Sequence, residues 1–149
     1  MRRRPGTLAA IAALAAFAAG ILAAAGCSSE QISLTMGVSA APNPVAGTNG
    51  TGGRSWEYRI SITNPHPAGV RVEYFHSGIT GTDTGYEQPL LVEKEFSAAG
   101  AWIAPGGTLT FPASRHSGGR FSRGTERRIY HTLGDDGKYY SGEVLISLE

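Results

Sequence analysis

The sequence predicts an all-β protein, specifically an immunoglobulin-like or fibronectin-like β-sandwich of about seven strands behind a cleaved N-terminal signal segment. Three observations lead there. Apolar and polar residues alternate with period two in several short runs, 21 Gly and 8 Pro among 149 residues punctuate those runs, and the one long apolar stretch sits at the extreme N-terminus. A small β-barrel satisfies the same pattern and stands as the alternative architecture.

The chain begins with Arg2, Arg3 and Arg4, enters an uncharged Ala-rich run over residues 8–25, and reaches Ala24-Ala25-Gly26-Cys27. A basic start, an apolar centre and small residues before a cleavage point form the layout of a secretory signal. At about 18 residues the run also touches the lower limit for a membrane-spanning helix. The small residues before Cys27 favour cleavage, because a peptidase cleft must admit the extended chain there. These four residues resemble the bacterial lipobox, although Ala24 stands where that family usually has Leu, and the nearest Leu is Leu22. The resemblance implies that residues 1–26 are a lipoprotein signal, that Cys27 is lipidated, and that residues 27–30 form a tether ahead of a sandwich domain over 31–149. Cys27 is the sole cysteine, so no intrachain disulfide can form, and lipidation accounts for a lone thiol in an exported chain. Two or three acyl chains, at about 0.8 kcal/mol per buried CH₂, hold a protein to a bilayer where one chain scarcely does. The expected location is therefore the cell envelope, anchored in the membrane by lipid and facing the periplasm or exterior.

Residues 27–149 suit one domain and not two. Loss of the three signal arginines leaves ten Lys and Arg against twelve Asp and Glu, a formal charge of −2. Nucleic acid is not an expected partner of such a chain. Its first strand has Ile32, Leu34, Met36 and Val38 on one face, and residues 41–53, with two prolines and four glycines, read as a loop. Trp56, Tyr58, Ile60 and Ile62 alternate with Glu57, Arg59, Ser61 and Thr63 in the clearest strand, whose apolar side is the predicted centre of the core. Val70, Val72 and Tyr74 repeat the pattern against Arg71 and Glu73.

Between those two strands lies N64-P-H-P-A-G69, which reads as a corner. Its prolines push Asn64 and His66 toward extended geometry, Gly69 is free to take a positive φ, and His66 reads as a solvated loop residue. Farther on, residues 78–89 fit a loop or a short edge strand, and residues 90–96 fit either a strand or one helical turn. Residues 103–111 form a turn feeding a strand with Leu109 and Phe111 inward. The end of the chain reads as a hairpin over residues 127–133 and 139–148, tipped by Gly134-Asp135-Asp136-Gly137, with Val144, Ile146 and Leu148 on one face. The stretches I60-S-I-T-N-P-H-P67 and I103-A-P-G-G-T-L-T-F-P-A113 resemble, in order, motifs of the water-stress type of late-embryogenesis-abundant domain. That resemblance implies a small sandwich related to fibronectin type III.

Three groups of residues invite chemistry. The segment 115–128 gathers Arg115, His116, Arg120, Arg123, Arg127 and Arg128 around glycines, and arginine forks with loop amides hold phosphate, carboxylate or sulfated sugar. Arg120, Arg123, Arg127 and Arg128 are the candidate anion site, with a solvated loop as the competing reading. Alternation sends Arg127 and Arg128 to opposite faces. The carboxylates of residues 135–143 lack calcium-loop spacing and read as a turn. His66, His76, His116 and His131 are scattered without the HxxxH or HExxH spacing of a metal pair, and His131 falls on the predicted inward face of the hairpin. No metal or cofactor is expected.

No GxSxG elbow is present and Cys27 is committed to lipid, so no catalytic set can be named and an enzyme is not expected. The expected function is a non-catalytic binding or accessory module of the cell envelope, with an envelope protein or acidic polymer as partner. The alternative is a structural or protective envelope protein without a specific ligand. A contiguous exposed apolar patch or an arginine-lined groove would point to binding, and an even polar surface to the alternative.

Overall fold

The alternating run from Trp56 to Ile62 forms the central strand of one of two facing sheets. A computed structural model describes Ser33, Leu34 and residues 36–149; Cys27 and the expected signal and tether lie outside the described residues. Ten strands follow in order: β1 (Ser33–Leu34), β2 (Gly37–Ala41), β3 (Thr48–Gly50), β4 (Gly53–Thr63), β5 (Val70–Gly81), β6 (Glu87–Glu93), β7 (Trp102–Ile103), β8 (Thr108–His116), β9 (Gly124–Gly134) and β10 (Tyr139–Leu148). Seven of them have five residues or more, as the alternation predicts. The larger sheet runs β1-β10-β9-β5-β6, with β7 sharing the β6 edge of β5. In the smaller one, β2 and β3 occupy one edge of β4 and β8 the other. The named strands pair antiparallel except at β1, which runs parallel to β10, and the isolated bridge of Val45 to Leu148 is parallel too. This is an all-β sandwich.

Trp56, Ile60 and Ile62 are fully buried and Tyr58 nearly so, and they meet Val70, Val72, Tyr130, Ile146 and Leu148 across the inter-sheet space. Phe75, Phe96, Phe111 and Tyr130 form a chain of ring contacts at 4.9–6.2 Å through the middle of this core. Such rings bury large areas and favour edge-on or offset geometry.

Several local expectations change. The predicted first strand is two pieces: β1 joins the larger sheet, and β2 joins the smaller, with buried Met36 at the crossing. The loop 41–53 is partly structured. Buried Val45 bridges to Leu148, its amide donates to the Ser147 carbonyl at 2.8 Å, and the Asn43 side chain bonds the β10 backbone at Leu145 and Ser147. Residues 78–93 resolve into the end of β5, a turn and the edge strand β6. Pro89 sits near a register shift on that edge, where its missing N–H is tolerated.

Tyr74 is not an inward residue. The β5–β9 register shifts between Val72 and Tyr74, so Glu73 is an extra residue in the strand, and from there Phe75 and Ser77 point inward while Tyr74 and His76 point out. This is a β-bulge, which inverts the faces beyond it.

The corner at 64–69 is fastened by Asn64, which is fully buried. Its side-chain amide donates to the carbonyls of Ala68, Ile103 and Ala104, its side-chain oxygen accepts from the His66 amide at 3.0 Å, and its backbone pairs with Gly106 and Gly107. The two sequence stretches flanking these prolines are thus one unit in space. His66 stacks on Tyr140 at 4.0 Å instead of pointing freely into solvent. Gly69 is needed for room and not for a positive φ: a Cβ there would lie 2.0 Å from the Trp102 ring.

Candidate functional site

The segment 115–128 separates by face. Its loop, residues 117–123, is closed from within by Asp83, whose carboxylate accepts the Ser122 amide at 2.9 Å, the Ser122 hydroxyl at 2.5 Å and the Arg123 amide at 3.5 Å. The Ser122 hydroxyl, above all, holds this carboxyl below its usual range. The loop amides that an external anion would use therefore already hold an internal one. Arg120 lies over the Tyr86 ring at 5.5 Å and donates to its hydroxyl at 2.9 Å, and Arg123 is exposed nearby. Arg127 faces outward, paired with Glu143 at 2.8 Å. Arg128 faces the opposite way, as alternation requires, and is buried. Arg120 and Arg123 share one loop; Arg127 and Arg128 do not join them.

Arg128 belongs to a charged network between the sheets. Glu126, 0% exposed, accepts Arg128 Nε at 2.7 Å, Arg115 Nε at 3.1 Å, Arg115 Nη2 at 2.5 Å and the Tyr58 hydroxyl at 2.5 Å. The remaining Arg128 nitrogens donate to the Tyr130 hydroxyl and the Ser114 carbonyl, and its guanidinium lies over the rings of Tyr58 and Phe75. Arg115 also donates to Ser77. Burial, reinforced by the Glu126 charge, pushes the Tyr58 phenol far above its ordinary range. Burial is the largest influence on Arg128 and opposes its charge, but the Glu126 carboxylate together with the Tyr58 and Tyr130 hydroxyls outweighs it and holds the guanidinium as a cation. Both Glu126 oxygens and all three Arg128 nitrogens have partners inside the sandwich, so the work of this triad, Arg115, Glu126 and Arg128, is cohesion between the sheets.

The outer face of the larger sheet carries a second cluster. Tyr74 lies directly across from His131 in the β5–β9 ladder, and His76 sits on the diagonal, opposite Ile129. His76 Nδ1 and His131 Nε2 are 2.9 Å apart. The Tyr74 ring stacks on His131 at 4.5 Å and 17°, and meets His76 edge-on at 5.6 Å. His131 is therefore an outward residue, contrary to the sequence reading, and is nonetheless buried, with the rings of Tyr74 and His76 against it. Burial, then the neighbouring His76, lowers its pKa below the ordinary imidazole value. Two histidines 55 residues apart are brought together by strand pairing, which no local spacing rule detects. Among the described residues no group of three or more His, Cys, Asp and Glu comes together.

Several concavities mark the described surface. A trough of about 670 Å³, open to solvent, runs along Glu57, Arg59, Pro112 and Ser114 on the smaller sheet and is lined also by Ser97. A tighter cavity of about 280 Å³ lies among Tyr86, Gln88, His116 and Arg120. The apolar exposure is elsewhere. Leu90, Leu91 and Val92, 39%, 48% and 51% exposed, are consecutive on the edge strand β6.

No protein-family model and no curated protein sequence matches this chain. Among solved structures, the fold is similar to that of structural-genomics target SoR45, at 14% identity and a TM-score of 0.62, covering 76% of this chain and 86% of that one. It is also similar to the putative ApaA protein from Bordetella pertussis, at 20% identity and a TM-score of 0.60, covering 78% and 95%. At such identities the likeness concerns the sandwich alone.

Proposed function

We propose that this chain is a lipid-anchored protein of the bacterial cell envelope whose sandwich is a non-catalytic module that binds an envelope protein. Anchoring is supported by the order of features at the N-terminus, namely three arginines, an uncharged run, small residues and the chain's sole cysteine, Cys27. The observation that carries the binding role is the run Leu90-Leu91-Val92, three exposed apolar side chains in succession on a strand with one unpaired edge. Soluble domains seldom leave such an edge unless something covers it. A partner can add a strand there, its backbone pairing with β6 and its apolar side chains meeting these three. Arg120 and Arg123 add a minor, salt-sensitive attraction for acidic polymers.

Two measurements test the reading. Metabolic labelling with a fatty acid should mark the full chain and not its Cys27→Ala variant, which should persist as an unprocessed precursor; label on the variant sinks the anchoring. A photo-crosslinker placed at Leu91 in the intact envelope should yield a discrete adduct that the same group at Thr110, on the opposite sheet, does not. Equal or absent adducts at both positions defeat the binding role.

A further inference from the structure

Among the described residues, the histidine pair is a cluster of ligating side chains that the proposed binding role does not use. We propose that His76 and His131 form a two-histidine site for a divalent copper ion on the outer face of the larger sheet. The distance between the facing nitrogens is the first argument. Two imidazole nitrogens each about 2.0 Å from one ion stand about 2.8 Å apart when they subtend a right angle, and about 3.3 Å apart at the tetrahedral angle. The observed 2.9 Å is the length of an ordinary hydrogen bond and also lies within the bite of two nitrogens on one ion, and copper(II) is the first-row divalent ion that a nitrogen pair holds most tightly.

The surroundings supply the second argument. The Glu73 bulge turns His76 outward beside His131; without the extra residue His76 would face the core. Tyr74 fixes the orientation of both rings, the role usually played by partners just outside a metal's ligand set. Ser141 is the direct cross-strand partner of His131, so its hydroxyl shares this face, yet it is fully buried and has no hydrogen-bond partner among the described residues. A water on the ion would satisfy it. His76 is only half-buried, which leaves the ion a path from solvent. The charges that flank the cluster are already paired, Arg71 with Glu73 and Arg127 with Glu143, each at 2.8 Å.

Without metal, one facing nitrogen donates its proton to the other. To bind, the donor ring moves its proton to its far nitrogen through water, so both nitrogens present lone pairs and both rings remain neutral. No proton is lost and no oxidant is required. With no third His, Cys, Asp or Glu present among the described residues, water fills the other positions and the ion remains exchangeable.

The full chain, purified in detergent, is titrated with up to one equivalent of copper(II) chloride in a non-coordinating buffer and followed by electron paramagnetic resonance. One equivalent should bind with hyperfine splitting from two ring nitrogens. His76→Gln and His131→Gln should each weaken binding by about tenfold or more, whereas His116→Gln should leave it unchanged. Thermal melts accompany each variant, and the half-buried His76→Gln carries the comparison if His131→Gln does not fold. Copper binding that survives both histidine variants, or a parent that takes up no copper, overturns the proposal.

Discussion

Glu126→Gln tests the contribution of the buried triad, because it keeps the shape of the side chain, removes its charge and leaves one acceptor oxygen in place of two. In the native protein one carboxylate receives four hydrogen bonds from Arg115, Arg128 and Tyr58. The two guanidiniums then lose their only counter-ion, but not equally. Arg115, with 18% of its side chain exposed, can turn toward water, while Arg128, at 6%, cannot. The loss is therefore that of about one stranded buried cation, roughly 3 to 5 kcal/mol. Against a total stability of about 5 to 15 kcal/mol this is severe. With a slope of about 1.5 kcal/mol per molar urea, the unfolding midpoint should drop by about 2 to 3 M. The converse variant, Glu126→Leu with Arg128→Met and Tyr58→Phe, strands no charge of comparable burial and should recover most of the loss. A Glu126→Gln protein that unfolds within about 1 kcal/mol of the parent would refute this account of the network.

Three further outcomes are expected. Ile60→Ala, at a fully buried position in β4, should cost about 2 to 5 kcal/mol in denaturant melts. Gly69→Ala should displace the Trp102 ring, which is half exposed and free to swing, so the loss should be only about 1 to 2 kcal/mol, with a red shift in tryptophan emission. Because His131 has a lowered folded pKa, the unfolded chain binds its proton first as pH falls. Its contribution to stability is thus complete above the unfolded value of 6.5 and declines below it, and His131→Gln should flatten the stability profile between about pH 7 and 5.

The sandwich was legible because its central strand has one purely apolar face, Trp56 to Ile62, and because the tip at Gly134–Gly137 marks a hairpin. That tip also contained the position of Arg128. With Leu133 opposite Tyr139, counting back along both strands sets Arg128 opposite Val144, on the core side, and Glu126 opposite Ile146. Charge alone argued for solvent there, and the register was the better guide. His131 follows from the same count, which places it opposite Ser141 on the outer face. The position of Tyr74 was not legible. A bulge costs one residue and leaves no mark in composition, so alternation carried past Glu73 assigns every later side chain of β5 to the wrong face. The closing of the arginine loop by Asp83 was hidden for another reason, since the carboxylate comes from a turn about forty residues earlier in the chain.

The Glu73 bulge links the interior of the sandwich to its outer face. Before it, Val70 and Val72 pack the core in plain alternation. Beyond it, Phe75 comes under the Arg128 guanidinium and against Tyr130, and Ser77 receives Arg115, so the inner side of β5 is shaped to the buried triad. The outer side receives Tyr74 and His76 in the same step and sets them against His131. Without the extra residue both assignments would invert together: Tyr74 and His76 would enter the space around Glu126, and Phe75 and Ser77 would turn to solvent. Selection for a packed core alone has a simpler solution, with an apolar inward face and no bulge. The chain instead holds a buried ion network and an external histidine pair in fixed register with each other, so any change that straightens β5 must disturb both.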